Sequence, residues 1–127
     1  MARILIVDDD PNARLLVRTV LEYAGHDVLE ASDAVQGHAL LVGERPDLTM
    51  VDLSLPGTGG AQWIAMVRKD PRLQAARIAL YTATRPDAAL TDFMEIYRLC
   101  GAIPKPSEPA ELLAAVQAAL SEAPASN

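Results

Sequence analysis

The sequence predicts one α/β domain, built on a five-stranded parallel sheet with helices on both faces. Three observations carry this. Apolar runs of strand length alternate with helical patterns along the whole chain of 127 residues. The runs Ile4-Leu5-Ile6-Val7, Leu48-Thr49-Met50-Val51 and Ile78-Ala79-Leu80-Tyr81 are almost continuously apolar, as strands covered on two faces must be. The polar residues with chemical potential fall just beyond such runs: Asp8 and Asp9 after the first strand, Asp52 after the third, Thr82 after the fourth and Lys105 after the fifth. Open α/β sheets bind their ligands at that carboxyl edge.

Arg3 to Val7 is the first strand. Asp10-Pro11 is a good N-cap and first helical position, so a helix is predicted from Pro11 to about Tyr23, with Leu16, Val20 and Tyr23 or Ala24 on its inner face. Gly25 stops it. Val28 to Ala31 is the second strand. The second helix runs from Asp33 to about Val42, capped by Ser32 or Asp33 and closed by Gly43. Leu48 to Val51 is the third strand, and Leu55 to Gly60 reads as a loop by composition. Gln62 to Lys69 is the third helix, ended by Asp70-Pro71. Ile78 to Tyr81 is the fourth strand. Asp87 to Leu99 is the fourth helix, with Leu90, Phe93, Met94 and Tyr97 at helical spacing. Ala102-Ile103 is a brief fifth strand. Pro109 to Leu120 is the last helix, turning Leu112, Leu113, Val116 and Leu120 inward. The domain is expected over residues 1–122, with 123–127 a small, polar, frayed tail.

Composition narrows the function classes. Eleven Lys plus Arg against 17 Asp plus Glu give a net charge of -6, which argues against direct nucleic-acid or membrane binding. The single Cys100 forms no internal disulfide and fits a reducing, cytoplasmic compartment, with small helix packing as its expected role. The amino terminus enters a strand without a basic leader, and no apolar run is long enough to cross a bilayer.

The acids set the chemistry. Asp10 is explained as a helix cap; Asp8 and Asp9 are not. At an effective dielectric of 20, a close pair of like charges costs about 4 kcal/mol. A hard cation on oxygen ligands offsets that repulsion, and magnesium suits a carboxylate site that keeps several waters. His26 and His38 are too scattered for a zinc site and read as surface residues. With a dication held by three carboxylates, Asp52 becomes a nucleophile toward a phosphoryl group, while Asp8 and Asp9 act as metal ligands. A transferring phosphoryl group needs donors on its equatorial oxygens. Thr82 offers a hydroxyl, Ala83 a backbone N–H beside a small side chain, and Lys105 an ammonium. Singly, each has a bland reading: Asp52 as a loop start, Thr82 as a strand-end hydroxyl, Lys105 as a solvated charge. Four strand ends carrying them in order make coincidence a poor explanation.

With these residues in place, the chain resembles the receiver domain of two-component response regulators, the CheY-like family. The matching segments are Ile4 to Pro11, Met50 to Gly60, Tyr81-Thr82-Ala83 and Lys105-Pro106, and the resemblance runs from Arg3 to about Leu120. It implies a flavodoxin-like (βα)5 three-layer sandwich with strand order 2-1-3-4-5. It implies that Asp52 accepts a phosphoryl group from a phosphohistidine on a histidine kinase or histidine phosphotransferase. Asp8, Asp9, Asp52 and the Ser54 backbone carbonyl would hold Mg2+, with Asp8 acting through water. Thr82, the Ala83 amide and Lys105 would contact phosphoryl oxygens, and the peptide before Pro106 would be cis. Kinase docking would fall on Asn12, Arg14, Leu15 and Arg18. A downstream protein, or a weak homodimer through the fourth helix, fifth strand and fifth helix, would read the state. The chain would be no enzyme beyond catalysing its own phosphorylation and dephosphorylation. Three positions depart from the family pattern. Ala102 stands where relatives carry a switch aromatic, a role Tyr97 or Tyr81 would have to fill. The approach to Lys105 is compressed to Gly101-Ala102-Ile103-Pro104, and Gly59 replaces an Asp or Asn.

Ala102 keeps a second reading open, a degenerate receiver acting as a protein-binding module with atypical or phosphorylation-independent output. A phosphatase-like enzyme would want a second acid two positions after the nucleophile, where this chain has Ser54. Flavin binding would need phosphate donors where Asp8-Asp9-Asp10 would repel. Whether the chain is a stand-alone shuttle or part of a longer regulator is not written in these residues.

Overall fold

A computed structural model describes residues 1–122; the expected tail, 123–127, lies outside the described residues. The strands are β1 (Arg3–Val7), β2 (Asp27–Ala31), β3 (Leu48–Val51), β4 (Ile78–Thr82) and β5 (Ala102–Pro104). The helices are α1 (Pro11–Tyr23), α2 (Ala34–Glu44), α3 (Gly60–Lys69), α4 (Ala88–Ile96) and α5 (Pro109–Ser121), with a single 3-10 turn at Pro71–Leu73. All strand pairs are parallel and the order is β2-β1-β3-β4-β5, the expected fold.

The central strands β1, β3 and β4 are largely apolar because alternate residues serve different layers. Ile4, Ile6, Met50, Tyr81 and Ile103 pack with Val17 and Leu21 of α1 and Leu112, Val116 and Ala119 of α5. Leu5, Val7, Val51, Ile78 and Leu80 pack with Leu41 of α2, Trp63, Ile64 and Val67 of α3, and Leu90 of α4. This strand-by-strand division is the period of two expressed as a three-layer sandwich.

Helix starts follow local chemistry. The Asp10 carboxylate accepts from the Asn12 amide at 2.9 Å, that of Asp33 from Gln36 at 2.8 Å, and that of Asp87 from Leu90 at 2.8 Å. The Glu111 carboxylate accepts from the Glu108 amide at the start of α5.

Several sequence expectations are corrected. The inner face of α1 is Val17 and Leu21, with Tyr23 94% exposed, one step round from the Leu16, Val20, Tyr23 stripe. Gly43 does not close α2; the helix continues to Glu44 and is capped by Arg45 at φ 47°. The third helix begins at Gly60, not Gln62, and the fourth ends at Ile96, not Leu99. The early stop of α4 is a left-handed turn at Arg98, braced by a distant side chain. Buried Arg68 reaches from α3 and donates to the carbonyls of Tyr97 (2.7 Å) and Arg98 (3.1 Å), and to that of Ala76 (2.8 Å). Arg98 turns to φ 55°, its amide donates to the Glu95 carbonyl and that of Leu99 to the Met94 carbonyl, which closes the helix, while Arg68 satisfies the carbonyls left just beyond it. Burial lowers the Arg68 pKa to about 10. Cys100 packs from the segment before β5, not from a helix. Both histidines serve locally: His26 Nδ1 accepts from the Ala2 amide, and His38 Nδ1 from the indole of buried Trp63 at 3.0 Å.

One core residue breaks a local rule. Thr49 is fully buried in β3 and its hydroxyl has no hydrogen-bond partner among the described residues. Replacing an unpaired buried hydroxyl by a methyl of the same shape removes a desolvation penalty. Thr49→Val is expected to raise stability by about 1 kcal/mol, read as a higher urea midpoint at unchanged slope; a lower midpoint would mean that the hydroxyl is satisfied.

Candidate functional site

The switch in strand order lies between β1 and β3, and it builds the site. Val7 pairs with Val51 in register, and the Asp52 amide donates to the Val7 carbonyl at 3.0 Å. The next residue on each strand is therefore an acid, Asp8 beside Asp52. Asp9 follows on the β1 loop, and one carboxylate oxygen from each of Asp8, Asp9 and Asp52 lies within 4.8 Å of the others. Asp8 and Asp52 are buried, at 0% and 3% exposure, whereas Asp9 is exposed.

From the other side, Val51 pairs with Leu80 and Thr82 with Pro104, and the Lys105 amide donates to the Thr82 carbonyl at 3.1 Å. This chain of parallel pairings brings Lys105 over the acids. Its ammonium lies 2.7 Å from Asp8 Oδ2 and 3.0 Å from Asp52 Oδ2. The Lys105–Pro106 peptide is cis.

Each carboxylate is oriented by a second contact. Asp8 Oδ1 accepts from the Asp10 amide at 3.0 Å. Asp52 Oδ1 accepts from the amide and the hydroxyl of Ser54, at 3.0 and 2.9 Å. The two acids respond differently. Burial pushes Asp8 above the usual carboxylate range, and its bonds to Lys105 and Asp10 do not fully offset it. Burial acts on Asp52 in the same sense, but the Ser54 amide, the Lys105 ammonium and the Ser54 hydroxyl outweigh it and hold Asp52 below its ordinary value. Asp52 is thus the buried acid kept as a carboxylate, the form a nucleophile needs. Burial opposes the charge on Lys105 too, but its bonds to Asp8 and Asp52 win and its pKa is raised.

The cleft above these groups, about 630 Å3, is lined by Asp52, Leu53, Ser54, Thr82, Ala83, Thr84, Lys105 and Pro106. Thr82 is buried, and its hydroxyl accepts from the Thr84 amide at 3.1 Å. A second hollow of about 270 Å3 adjoins it, bounded by Thr82 to Pro86 and by Ala102 to Lys105. None of these lining residues is aromatic. Tyr81 lies on the opposite face of the sheet, and Tyr97 leans against Phe93, 4.9 Å between centroids with the rings tilted by 54°. No ring therefore fills the space that Ala102 leaves.

The four surface residues of α1 divide. Asn12 and Leu15 are exposed. Arg14 turns back to Glu30 (3.0 Å) and to the Asp8 carbonyl (2.7 Å), and Arg18 pairs with Glu30 and Glu22. The sequence reading gave Arg14 a docking role only, and missed the Asp10 amide and Gly60 as site supports. The all-oxygen donor set, two of its three acids buried, fits a hard divalent cation such as magnesium.

Comparison with known proteins agrees with this geometry. The sequence model described as "Response regulator receiver domain" matches residues 4–117. The phosphate regulon transcriptional regulatory protein PhoB of Pseudomonas aeruginosa is 36% identical over 92% of this chain and 51% of its own length. Protein PilH of the same organism is 39% identical over 65% of this chain and 68% of its own. The chain thus spans about half of PhoB, and 34% of the regulator RpaA of Synechocystis. Among solved structures, chemotaxis response regulator CheY4 of Vibrio cholerae superposes with a TM-score of 0.85 at 27% identity, over 94% of this chain and 98% of that one. The BeF3-activated receiver domain of RstA from Klebsiella pneumoniae gives 0.82 at 27% identity, over 94% and 99%. Among the described residues no helix is long and apolar enough to cross a membrane.

Proposed function

The chain belongs to the response regulator receiver domain family, and from that premise we propose that Asp52 is its phosphoryl acceptor. The observation that carries the proposal is the pairing of a buried Asp52 with Lys105 at 3.0 Å, inside a three-carboxylate cluster at the β1/β3 switch point. The donor is a phosphohistidine of a histidine kinase or histidine phosphotransferase. A carboxylate oxygen of Asp52 attacks phosphorus, the P–N bond breaks, and the electron pair leaves with the imidazole, giving an acyl phosphate. Asp8, Asp9 and Asp52, with the Ser54 carbonyl, would hold Mg2+, which supplies positive charge against the phosphoryl oxygens and the acids. Thr82, the Ala83 amide and Lys105 serve as donors to those oxygens. Asn12 and Leu15 are the outermost candidates for kinase docking, with Arg14 and Arg18 behind them.

The chain catalyses no reaction but its own phosphorylation and dephosphorylation. A cytoplasmic location accords with its single cysteine. For output we propose the α4, β5 and α5 face, where Ile96 stands 67% exposed, as the surface for a downstream protein or a weak homodimer. With Mg2+ and a small phosphodonor, intact mass is expected to show one added phosphoryl group, abolished by Asp52→Asn. An unmodified wild type, or an Asp52→Asn variant labelled as well, would reject the assignment.

The ring-free hollow beside Ala102 favours a second reading, a receiver whose output does not follow phosphorylation. Beryllofluoride would then bind while amide NMR shifts stay within the cleft. Under the leading reading they extend to α4 and β5.

A further inference from the structure

The Lys105 ammonium has a third neighbour besides its two acids: the ring of Tyr81, whose centroid lies 5.8 Å away. We propose that Tyr81 is a positioning residue, whose ring face holds the Lys105 ammonium in place for the incoming phosphoryl group. The inference rests on the assignment of Asp52 as phosphoryl acceptor.

The geometry gives the ring one orientation. Tyr81 is 1% exposed and packs among Ile6, Met50 and Ile103 on the α1 and α5 side of the sheet. It is the strand neighbour of Thr82, and its register partner is Ile103, two residues before Lys105. The backbone pairing that brings Lys105 to Thr82 thus also brings its ammonium over the ring. Burial holds the phenol above its ordinary value, so the ring is neutral near pH 7 and attracts a cation through its face.

A lysine side chain is otherwise long and loses much freedom when fixed. Two carboxylates hold this one before transfer. When a phosphoryl group occupies Asp52, the ammonium must serve its oxygens instead, and the ring alone keeps its neighbour unchanged. Order already present in the free protein need not be created on binding. A leucine would preserve apolar burial and lose the π face. A phenylalanine would preserve the ring and lose only the hydroxyl.

The experiment compares wild type with Tyr81→Phe and Tyr81→Leu in two readouts. In metal-free protein, the Lys105 ε-CH2 protons are expected to shift upfield through the ring current, in wild type and Tyr81→Phe but not in Tyr81→Leu. In titrations with Mg2+ and beryllofluoride, Tyr81→Leu is expected to bind about threefold to tenfold more weakly, with Tyr81→Phe within twofold of wild type. Unshifted ε-CH2 protons in wild type, equal affinity for Tyr81→Leu, or a Tyr81→Phe loss as large as that of Tyr81→Leu would overturn the role of the ring. A wild type whose cleft amides do not respond to beryllofluoride would remove the phosphoacceptor reading, and this proposal with it. Should Tyr81→Leu fail to fold, the Tyr81→Phe comparison and the wild-type ring-current shift still decide the matter.

Discussion

Alanine in place of Gly60 is expected to destabilise the domain by about 3 kcal/mol, the upper range for overpacking, and to abolish the phosphoryl acceptance proposed for Asp52. Gly60 opens α3 where the helix meets the end of β3. A Cβ there would lie 2.3 Å from the Asp52 carbonyl oxygen and 2.8 Å from the Leu53 Cα. Both neighbours are backbone, so no side chain can rotate away. Either α3 retreats from the sheet, opening the core around Trp63 and Ile64, or the strand end moves and carries Asp52 with it. The second course spoils a cluster whose three acids must stay within 4.8 Å of one another. Gly59 is the internal control: a Cβ on it meets nothing within 4 Å, and its φ of -63° suits any residue. Gly59→Ala is expected to change stability by less than about 0.5 kcal/mol and to keep phosphorylation. Urea unfolding and intact mass measure both effects. Equal stability for the two variants would contradict the close packing of α3 against β3.

That contrast indicates what the sequence could and could not reveal. Strand positions and the site residues were legible because burial on two faces forces continuous apolar runs, and because the carboxyl ends of parallel strands share one edge. Asp8, Asp52, Thr82 and Lys105 could be read from that rule alone. The inner face of α1 could not. Leu15-Leu16-Val17 and Val20-Leu21 offer two adjacent apolar stripes, and the packing of α1 against α5 and β2 selects Val17 and Leu21. The end of α4 was hidden for a different reason. Its local pattern continues to Leu99, but Arg98 takes the left-handed conformation with no glycine to announce it, and Arg68 braces the carbonyls of Tyr97 and Arg98 from 29 residues before Tyr97. The cap of α2 had no signal at all, since an arginine, Arg45, takes the left-handed conformation while Gly43 stays helical. Local chemistry governs starts, where Asp10, Asp33 and Asp87 cap with their own side chains; the stops of α2 and α4 fall on arginines in the left-handed conformation, which the sequence does not announce.

Removing the charge of Lys105 is expected to have the largest electrostatic effect in the molecule. Lys105→Met keeps the stem and deletes the ammonium between Asp8 and Asp52. Breaking a buried pair by removing one partner costs about 3–5 kcal/mol. Lys105 is 21% exposed on its side chain, so a loss nearer about 2–3 kcal/mol at pH 7 without divalent cation is the expectation. The pH dependence fixes the sign. Asp8 already has a raised pKa in the folded protein, so the folded state binds more protons than the unfolded one between the ordinary carboxylate value and the raised one. Stability from that group therefore falls as pH rises through the window. Asp52, held below its ordinary value, has the opposite slope: its contribution is present above the unfolded value and is lost as pH falls through the folded one. Deleting Lys105 removes a lowering influence from both acids, and burial then dominates both. The variant's deficit should shrink between pH 7 and pH 5 as one acid takes up a proton. The same deletion ends a competition. The ammonium and a dication seek the same carboxylate oxygens, so Mg2+ is expected to bind Lys105→Met more tightly than wild type and to restore much of the lost stability. Urea midpoints at the two pH values, with and without Mg2+, and titration calorimetry test each step. A deficit that is the same at both pH values, or Mg2+ binding weaker than in wild type, would show that Lys105 does not neutralise the acids it touches.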